Sequence, residues 1–436
     1  MQSSPRLLTI YFSLLCLLAF AISLPFIVSS VSIGLVAVAW LAQFNRREIA
    51  QRFRERKMVW LWLIFFVQLA ISYFYSADKT EAAIDLQKKI SFLVLPLVIG
   101  LGPAIPAKWL NHIFTAFISG IVAIACFSIG RGAINYFQTG QTDALFYHSL
   151  VSGLGINAVY YSSYVIFALG ILLLHEFSAG FLQNKWLRYI FQIISLVFFV
   201  LLSSKSLLVL FVIFVLPLSV TGKKNRNLIT PRKLALIATA TMAIIIVILS
   251  TNNPIRSRYT EIFVNNEIIS EQTKKKGEEQ VFNNLSLRLF LWQMAWNNIN
   301  EHDLWLTGCG IGDVGILQKG RIALYDAHTK ALYKQPDLSV LNLHNMYLQV
   351  LMTLGIPGLL VFLLIVLTPF TWLRRLKNKE VFLIFLVSYL LYMMQESALQ
   401  TQAGVVYFTF FYQVFMLVYY CRKDSAYISF GVARTL

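Results

Sequence analysis

Charge is scarce in this 436-residue chain. Only 13% of its residues are Asp, Glu, Lys or Arg, about half the share of a typical soluble domain. Hydrophobic residues make up 58%, and mean hydropathy is +0.66. That balance argues against a soluble enzyme. Acidic residues are the scarcer sign, 20 against 37 basic, for a net charge of +17. In a soluble protein such a surplus points to nucleic acid. In a membrane protein it reports topology, so its position along the chain has to decide. Cysteine is limited to Cys16, Cys126, Cys309 and Cys421, without metal-ligand or disulfide spacing. No G-x-x-x-x-G-K-[ST] is present, which disfavours a P-loop ATPase. Asp-x-Asp, H-E-x-x-H and G-x-S-x-G are also missing, and Gly310-Ile311-Gly312 is too short for a dinucleotide fingerprint. Nucleotide-driven and metal-driven chemistry are disfavoured, and neither a metal nor a cofactor is expected.

Long apolar runs are abundant. A bilayer core needs roughly 17–25 apolar residues per helix. Twelve candidate spans meet or approach this, at 7–23, 25–44, 58–75, 84–101, 109–130, 158–175, 187–203, 205–221, 234–250, 346–371, 381–397 and 404–421. The first pair is joined by Ser23-Leu24-Pro25 and the seventh and eighth by Ser203-Ser204, both tight helical hairpins. The first run lacks a small-residue cleavage site before the second and reads as an uncleaved span. The expected fold is all-α and polytopic, in three parts: spans one to nine (1–250), a helical loop domain (251–345), and spans ten to twelve with a tail (346–436).

The charges orient this bundle. Basic excess lies at Arg6, Lys108, 45–57, 176–188, 222–233, 373–380 and the tail 421–436. Twelve spans starting inside place all of these on one face, and the segments on the other face sum to zero. This is the positive-inside pattern, so both termini are expected in the cytoplasm. The basic loops then serve topology and contact with anionic lipid headgroups, and the nucleic-acid reading loses its support.

The one large hydrophilic stretch, 251–345, is expected outside. It opens on charged residues around 274–279. It continues with Leu285, Leu289, Trp292, Trp296 and Ile299 at helical spacing, the pattern of a helix lying at the membrane interface. Gly308-Cys309-Gly310-Ile311-Gly312 makes a turn, and a second helix is expected over 314–335. Gly355-Ile356-Pro357-Gly358 should bend or break the tenth span after about three turns, with His344 at the outer membrane–water boundary. No internal repeat or paired broken helices of the secondary-transporter kind are present.

Three polar residues gather at that outer boundary. Lys205 sits in the turn between spans seven and eight. Arg288 lies on the flank of the amphipathic helix, and His344 is the last polar group before span ten. Taken singly, each has a plainer reading: a snorkelling anchor, a contact to lipid phosphate, a helix cap. Together, two fixed cations and an imidazole suit a substrate with a pyrophosphate and a reacting hydroxyl. Guanidinium forks bind phosphate oxygens, and neutral His takes a proton from a hydroxyl near pH 7. Glu396 and Gln402, at the outer ends of spans eleven and twelve, and Tyr160-Tyr161, opening span six, are weaker candidates for substrate contact. Their plainer readings are an exposed loop acid and an interfacial aromatic belt.

Ser203-Ser204-Lys205-Ser206, Arg288-x3-Trp292 running on to Gly308-x-Gly310-x-Gly312, and His344-Asn345-x-Tyr347-Leu348 together resemble the O-antigen ligase / O-antigen polymerase family of bacterial inner-membrane glycosyltransferases. The resemblance is most specific from about 285 to 360. It implies a GT-C-like bundle and metal-independent transfer of a glycan from undecaprenyl pyrophosphate on the periplasmic face. The acceptor would be a hydroxyl of lipid A–core, or of another lipid-linked glycan. It further implies that His344 acts as base and that Arg288 and the turn at Lys205 hold the diphosphate. Lys205 stands where the family commonly has Arg, which keeps the charge and loses the fork. Ligase is the leading reading and polymerase the next. A polysaccharide or lipid flippase is the alternative of another class, weakened by the near absence of ionisable residues within the spans.

Overall fold

A computed structural model describes residues 5–43, 45–221, 284–329, 342–374, 376 and 379–432. Among them every regular element is helical. In chain order these are α1 (Pro5–Ala21), α2 (Phe26–Leu41), α3 (Arg46–Glu55), α4 (Met58–Tyr75), α5 (Lys79–Lys88) and α6 (Ser91–Leu95). Next come α7 (Ala107–Thr139), the single turn α8 (Tyr147–Leu150), α9 (Ala158–Leu174), α10 (Lys185–Leu201), α11 (Lys205–Leu210) and α12 (Leu216–Thr221). After the undescribed stretch follow α13 (Asn284–Glu301), α14 (Val314–Thr329), α15 (Met346–Leu367), α16 (Lys379–Met393) and α17 (Gln402–Val432). A π-helical turn over Pro96–Gly100 extends α6, and another over Phe211–Val215 joins α11 to α12.

The centre is aromatic and nearly dry. Residues 404–417 of α17 are buried without a break, as expected of a helix apolar on every side. Residues 160–172 of α9 are buried in the same way. Between them Phe117, Phe167, Phe385, Tyr407 and Phe411 meet in edge and tilted contacts, the arrangement aromatic quadrupoles favour. The perimeter is the reverse of a soluble surface. On α10, Trp186, Tyr189, Ile190, Ile193 and Val197 are half or more exposed along one face, or nearly so. Ile27, Val31, Val38, Val67 and Ile71 are likewise exposed on α2 and α4. Apolar surface on this scale marks contact with lipid.

Among the described residues, four helical stretches are long and apolar enough to cross a membrane: Met58–Tyr75, Ala107–Thr139, Met346–Arg374 and Gln402–Tyr420. A fifth arises if α2 and α3, bent by 115°, count as one span. The expected run 109–130 is longer in the structure. At about 50 Å, α7 exceeds a hydrocarbon core of roughly 30 Å. It ends at Gly140 with φ 70°, a usual left-handed helix stop. The run 84–101 is broken at Lys89–Ile90 between α5 and α6. The candidate at 234–250 lies outside the described residues, as do the charged stretch 274–279 and residues 330–335 of the expected second loop helix.

The largest departure from expectation is at α15. Tyr347 and Phe362 bring their ring centroids to 5.8 Å. Continuous helix would separate their Cα atoms by about 22 Å. The two halves therefore fold back on each other at Gly355, whose backbone is non-helical (φ 67°, ψ −166°). The expected kink is a reversal, and Met346–Arg374 is a broken span. Glycine is required there, because a Cβ would stand 2.6 Å from the Leu306 carbonyl carbon in a conformation L-residues avoid.

Candidate active site

The hairpin at Gly355 is held by the glycine turn. Reversal frees carbonyls and an N–H that a helix would otherwise use, and the neighbouring backbone pairs with both. Cys309 N–H donates to Met352 O at 2.9 Å, Gly310 N–H to Thr353 O at 3.0 Å, and Ile356 N–H to Trp305 O at 2.7 Å. The turn then clamps the α4–α5 connection. The Asp313 carboxylate accepts from Ala77 N–H and Asp78 N–H at 2.6 and 2.9 Å. Ser76 Oγ accepts from Gly312 N–H. Gly355, the glycine turn and residues 75–78 therefore share one level, a rim.

Two arms run from this rim back into the bundle. The first half of α15 descends about 13 Å from Gly355 to its start. α5 descends about 15 Å along α4 from Asp78 to Lys88. Both arrive at the connection between α16 and α17. His344 Nδ1 lies 2.9–3.0 Å from the Glu396 carboxylate. Asn345 N–H donates to Ser397 Oγ. Lys89 Nζ donates to Gln400 Oε1 at 2.7 Å and to Asp85 at 3.2 Å. His344 is thus recessed below the rim, at the start of the first arm of the broken span.

His344 is set with care. Its backbone is left-handed (φ 47°), a region where His is enriched but still uncommon. Its N–H donates to Asn342 Oδ1, and Asn345 caps α15 by accepting from Leu348 N–H. The carboxylate of Glu396 holds Nδ1 and so fixes the orientation of the ring. Glu396 is 7% exposed, so the plainer reading of an exposed loop acid does not hold. Strain of this kind at a polar, hydrogen-bonded residue is typical of functional sites.

Arg288 joins the site through its helix. Trp292 Nε1–H donates to Leu343 O at 2.9 Å, which ties α13 to the residue before His344. Arg288 is one turn earlier on the same face. The buried stripe of α13 is Leu291, Met294, Ala295, Asn298 and Ile299. Of the described residues of the expected face, Trp296 is half exposed and only Ile299 is fully buried. The helix is apolar nearly all round, so spacing alone did not single out the face the bundle covers. Lys205 heads α11, which packs on α9 and α16. It therefore lies at the same end of the bundle as Tyr160 and Glu396. Ser203 before it is also left-handed, at φ 50°.

The remaining candidates are placed differently from expectation. Tyr160 and Tyr161 are 4% and 0% exposed. Their hydroxyls donate to Ala398 O and Ser23 O at 3.1 and 3.0 Å. They sit in the interior, away from any interfacial belt, and Tyr160 supports the connection that carries Glu396. Gln402 donates to Ser30 Oγ at 2.6 Å, tying α17 to α2. Sequence reasoning passed over Lys89, one of several charges in a balanced loop. The signal was available in a lysine at the edge of an apolar run. Burial pushes the Cys309 thiol up to about 12, so it stays protonated at neutral pH and is no nucleophile. Among the described residues no group of three His, Cys, Asp or Glu side chains is placed to hold a metal.

A family model described as O-antigen ligase matches residues 190–363. Over that stretch the chain is similar to the O-antigen ligase family. The matched stretch runs from α10 into the second half of α15. It includes Lys205, Arg288, the glycine turn and His344, the segments that form one wall of the site. No curated protein was found to match the chain. With several membrane-length apolar helices among the described residues, the chain has the make-up of a multi-pass membrane protein. The partners Glu396, Gln400 and Lys89 lie outside the matched stretch. The fold, not the family segment, brings them to His344.

Proposed function

We propose that this protein is an O-antigen ligase that moves a polysaccharide from undecaprenyl pyrophosphate to a hydroxyl of lipid A–core on the periplasmic face of the inner membrane. The observation that carries the reading is the His344–Glu396 pair, 2.9 Å apart and recessed beside the helix that bears Arg288. In this reading twelve spans cross the membrane with both termini in the cytoplasm. The stretch 251–345 forms a periplasmic loop domain over the site.

His344 Nε2 takes the proton of the acceptor hydroxyl as that oxygen attacks the anomeric carbon. The bond from the anomeric carbon to the pyrophosphate oxygen breaks. The leaving group is the lipid pyrophosphate, and direct displacement inverts the centre. Glu396 stabilises the imidazolium that forms, worth more in a recessed, low-dielectric site than in water. Arg288 and Lys205 counter the charge that builds on the departing pyrophosphate, a preorganised electrostatic contribution. A general base of this kind accounts for roughly 10²–10⁴-fold in rate.

The test is the lipopolysaccharide of a strain lacking the gene. Core without long chains, with polymer accumulating on the carrier, supports the ligase. Core bearing a single repeat unit supports a polymerase using the same donor. Unaltered glycan linkages with donor retained on the cytoplasmic face support a flippase. Purified wild-type protein that joins donor glycan to core, set against an inert His344→Ala protein of equal membrane abundance, completes the assignment.

A further inference from the structure

The face that α4 turns to lipid can be followed from end to end. Trp60, Ile64, Val67, Ile71 and Phe74 are exposed in one stripe at helical spacing, about 21 Å long. α5 runs back down the bundle beside that helix. Its start is held at the rim by Asp313. Phe92, four residues past its end, meets Trp62 and Phe65 with ring centroids 5.3 and 5.6 Å apart. α5 therefore lies at the depth that the α4 stripe gives to hydrocarbon. Its buried side is marked by Ala82 and, just past the helix, Lys89. Its open side is unlike that of a lipid-facing helix. Thr80, Ala83 and Gln87 form the centre, all exposed and three or four residues apart. Glu81 and Ile84 are exposed on one flank, where Lys88, 40% exposed, pairs with Asp85 at 2.8 Å. An amide and charged groups turned to hydrocarbon at that depth are strongly disfavoured, so this face calls for water.

We infer that α5 walls a water-filled vestibule that descends from the rim toward His344 and holds the carbohydrate head of the acceptor glycolipid. The inference rests on the acceptor assigned above. Three features carry it. The lower end of α5 leads to the site: Lys89 Nζ donates to Gln400 Oε1 at 2.7 Å, in the connection that carries Glu396. The face has the chemistry of a sugar partner. The Thr80 hydroxyl and the Gln87 amide both donate and accept, as sugar hydroxyls do. Ala83 between them leaves room for a ring, and Ile84 offers an apolar patch to its C–H face. The third feature is the side from which α5 arrives. Direct displacement puts the attacking oxygen opposite the departing pyrophosphate. Lys205, assigned to the pyrophosphate, heads α11, which packs on α16 before Glu396. α5 reaches the same connection beyond Glu396, at Gln400. The two flank His344 from opposite ends of that connection, which favours the acceptor's sugars over the donor's on α5.

The experiment uses the full chain in lipid vesicles, with its four native cysteines replaced by serine and single cysteines placed by Thr80→Cys, Ala83→Cys, Gln87→Cys, Val67→Cys or Ile71→Cys. A charged, membrane-impermeant methanethiosulfonate reports contact with water, because only a hydrated thiol ionises and reacts. The three α5 positions are expected to label at least about tenfold faster than the two on α4. Labelling at Gln87→Cys as slow as at Val67→Cys means lipid covers α5 and overturns the inference. Lipid A–core, added without donor, should slow labelling at Ala83→Cys and Gln87→Cys, and lipid A without core sugars should not. Protection by the lipid-pyrophosphate-linked glycan alone, or by lipid A with and without its sugars alike, also overturns it. A second variant keeps the native cysteines. Ala83→Trp fills the face and should raise KM for the acceptor about tenfold, with KM for the donor within about twofold. An equal rise for both substrates, or none, counts against the acceptor wall. Rapid labelling with core-dependent protection, in a wild-type protein that transfers no glycan, sinks the ligase reading and keeps the vestibule. Transfer by wild type with labelling indifferent to the core sugars sinks the vestibule and keeps the ligase.

Discussion

The interior around α9 and α17 and the edge built from α13, the glycine turn and α15 are made from similar residues and do opposite things. In the interior, aromatic rings fill the space and hydroxyls find backbone carbonyls nearby. Tyr164 donates to Ala403 O and Tyr389 to Gly404 O. At the edge, helices are broken, backbones turn left-handed and polar groups are bonded across long sequence separations. His344 meets Glu396, and Asp313 meets Ala77 and Asp78. The difference teaches where chemistry resides in a protein so rich in apolar residues. The sealed region supplies a packed wall, and the strained region presents the proposed reactive group.

Perturbing each region should reveal this division, and the largest effect belongs to the edge. His344→Ala is expected to lower transfer by at least 10²-fold at unchanged membrane abundance, read by product formation with purified donor. Near-normal transfer would move the reactive group elsewhere. Glu396→Gln keeps a hydrogen-bond acceptor and removes the charge, and should reduce kcat about tenfold or more with KM little changed. Recovery in Glu396→Asp would mark a charge role over simple packing.

Gly355→Ala forces a left-handed alanine against Leu306. It should destabilise the hairpin by about 2 kcal/mol or more, read as a lower thermal midpoint in detergent together with lost activity. A midpoint equal to wild type would mean the reversal is not strained. In the interior, Tyr160→Phe deletes one hydrogen bond to Ala398 O, about 1 kcal/mol, and should shift the thermal midpoint modestly while transfer persists. If activity falls as far as in His344→Ala, Tyr160 belongs to the site and not to the wall. The smallest effect is at Cys309. With its thiol pushed up to about 12, maleimide labelling at pH 8 should be slow until the protein is unfolded. Cys309→Ser should retain transfer.

The helical and apolar character of the bundle was legible in the sequence, because span-length apolar runs are a local property. His344 and Arg288 stood out as candidates, since each lies beside a turn or on a helix whose character is written in a few neighbouring residues. Glu396 stood out only as an acid at a span end, with its partner 52 positions away and invisible to any local pattern. Lys89 was lost among balanced charges. Tyr160 and Tyr161 misled, because an aromatic pair at the start of an apolar run reads the same whether lipid or protein covers it. The face of α13 could not be read, since a helix apolar on most sides carries no preferred direction.

The sequence by itself determined an all-helical, lipid-facing chain and the break near Gly355. Composition excludes the alternatives, and Gly-x-Pro-Gly cannot continue an ordinary helix. Tertiary structure alone decided how sharp that break is. It also decided that His344 is drawn below a rim, and that an acid and a buried lysine from distant segments meet at the α16–α17 connection. The physical reason is that carbonyls freed at Gly355 need donors, and the glycine turn, lying close against them, supplies two. That docking fixes the depth of the imidazole.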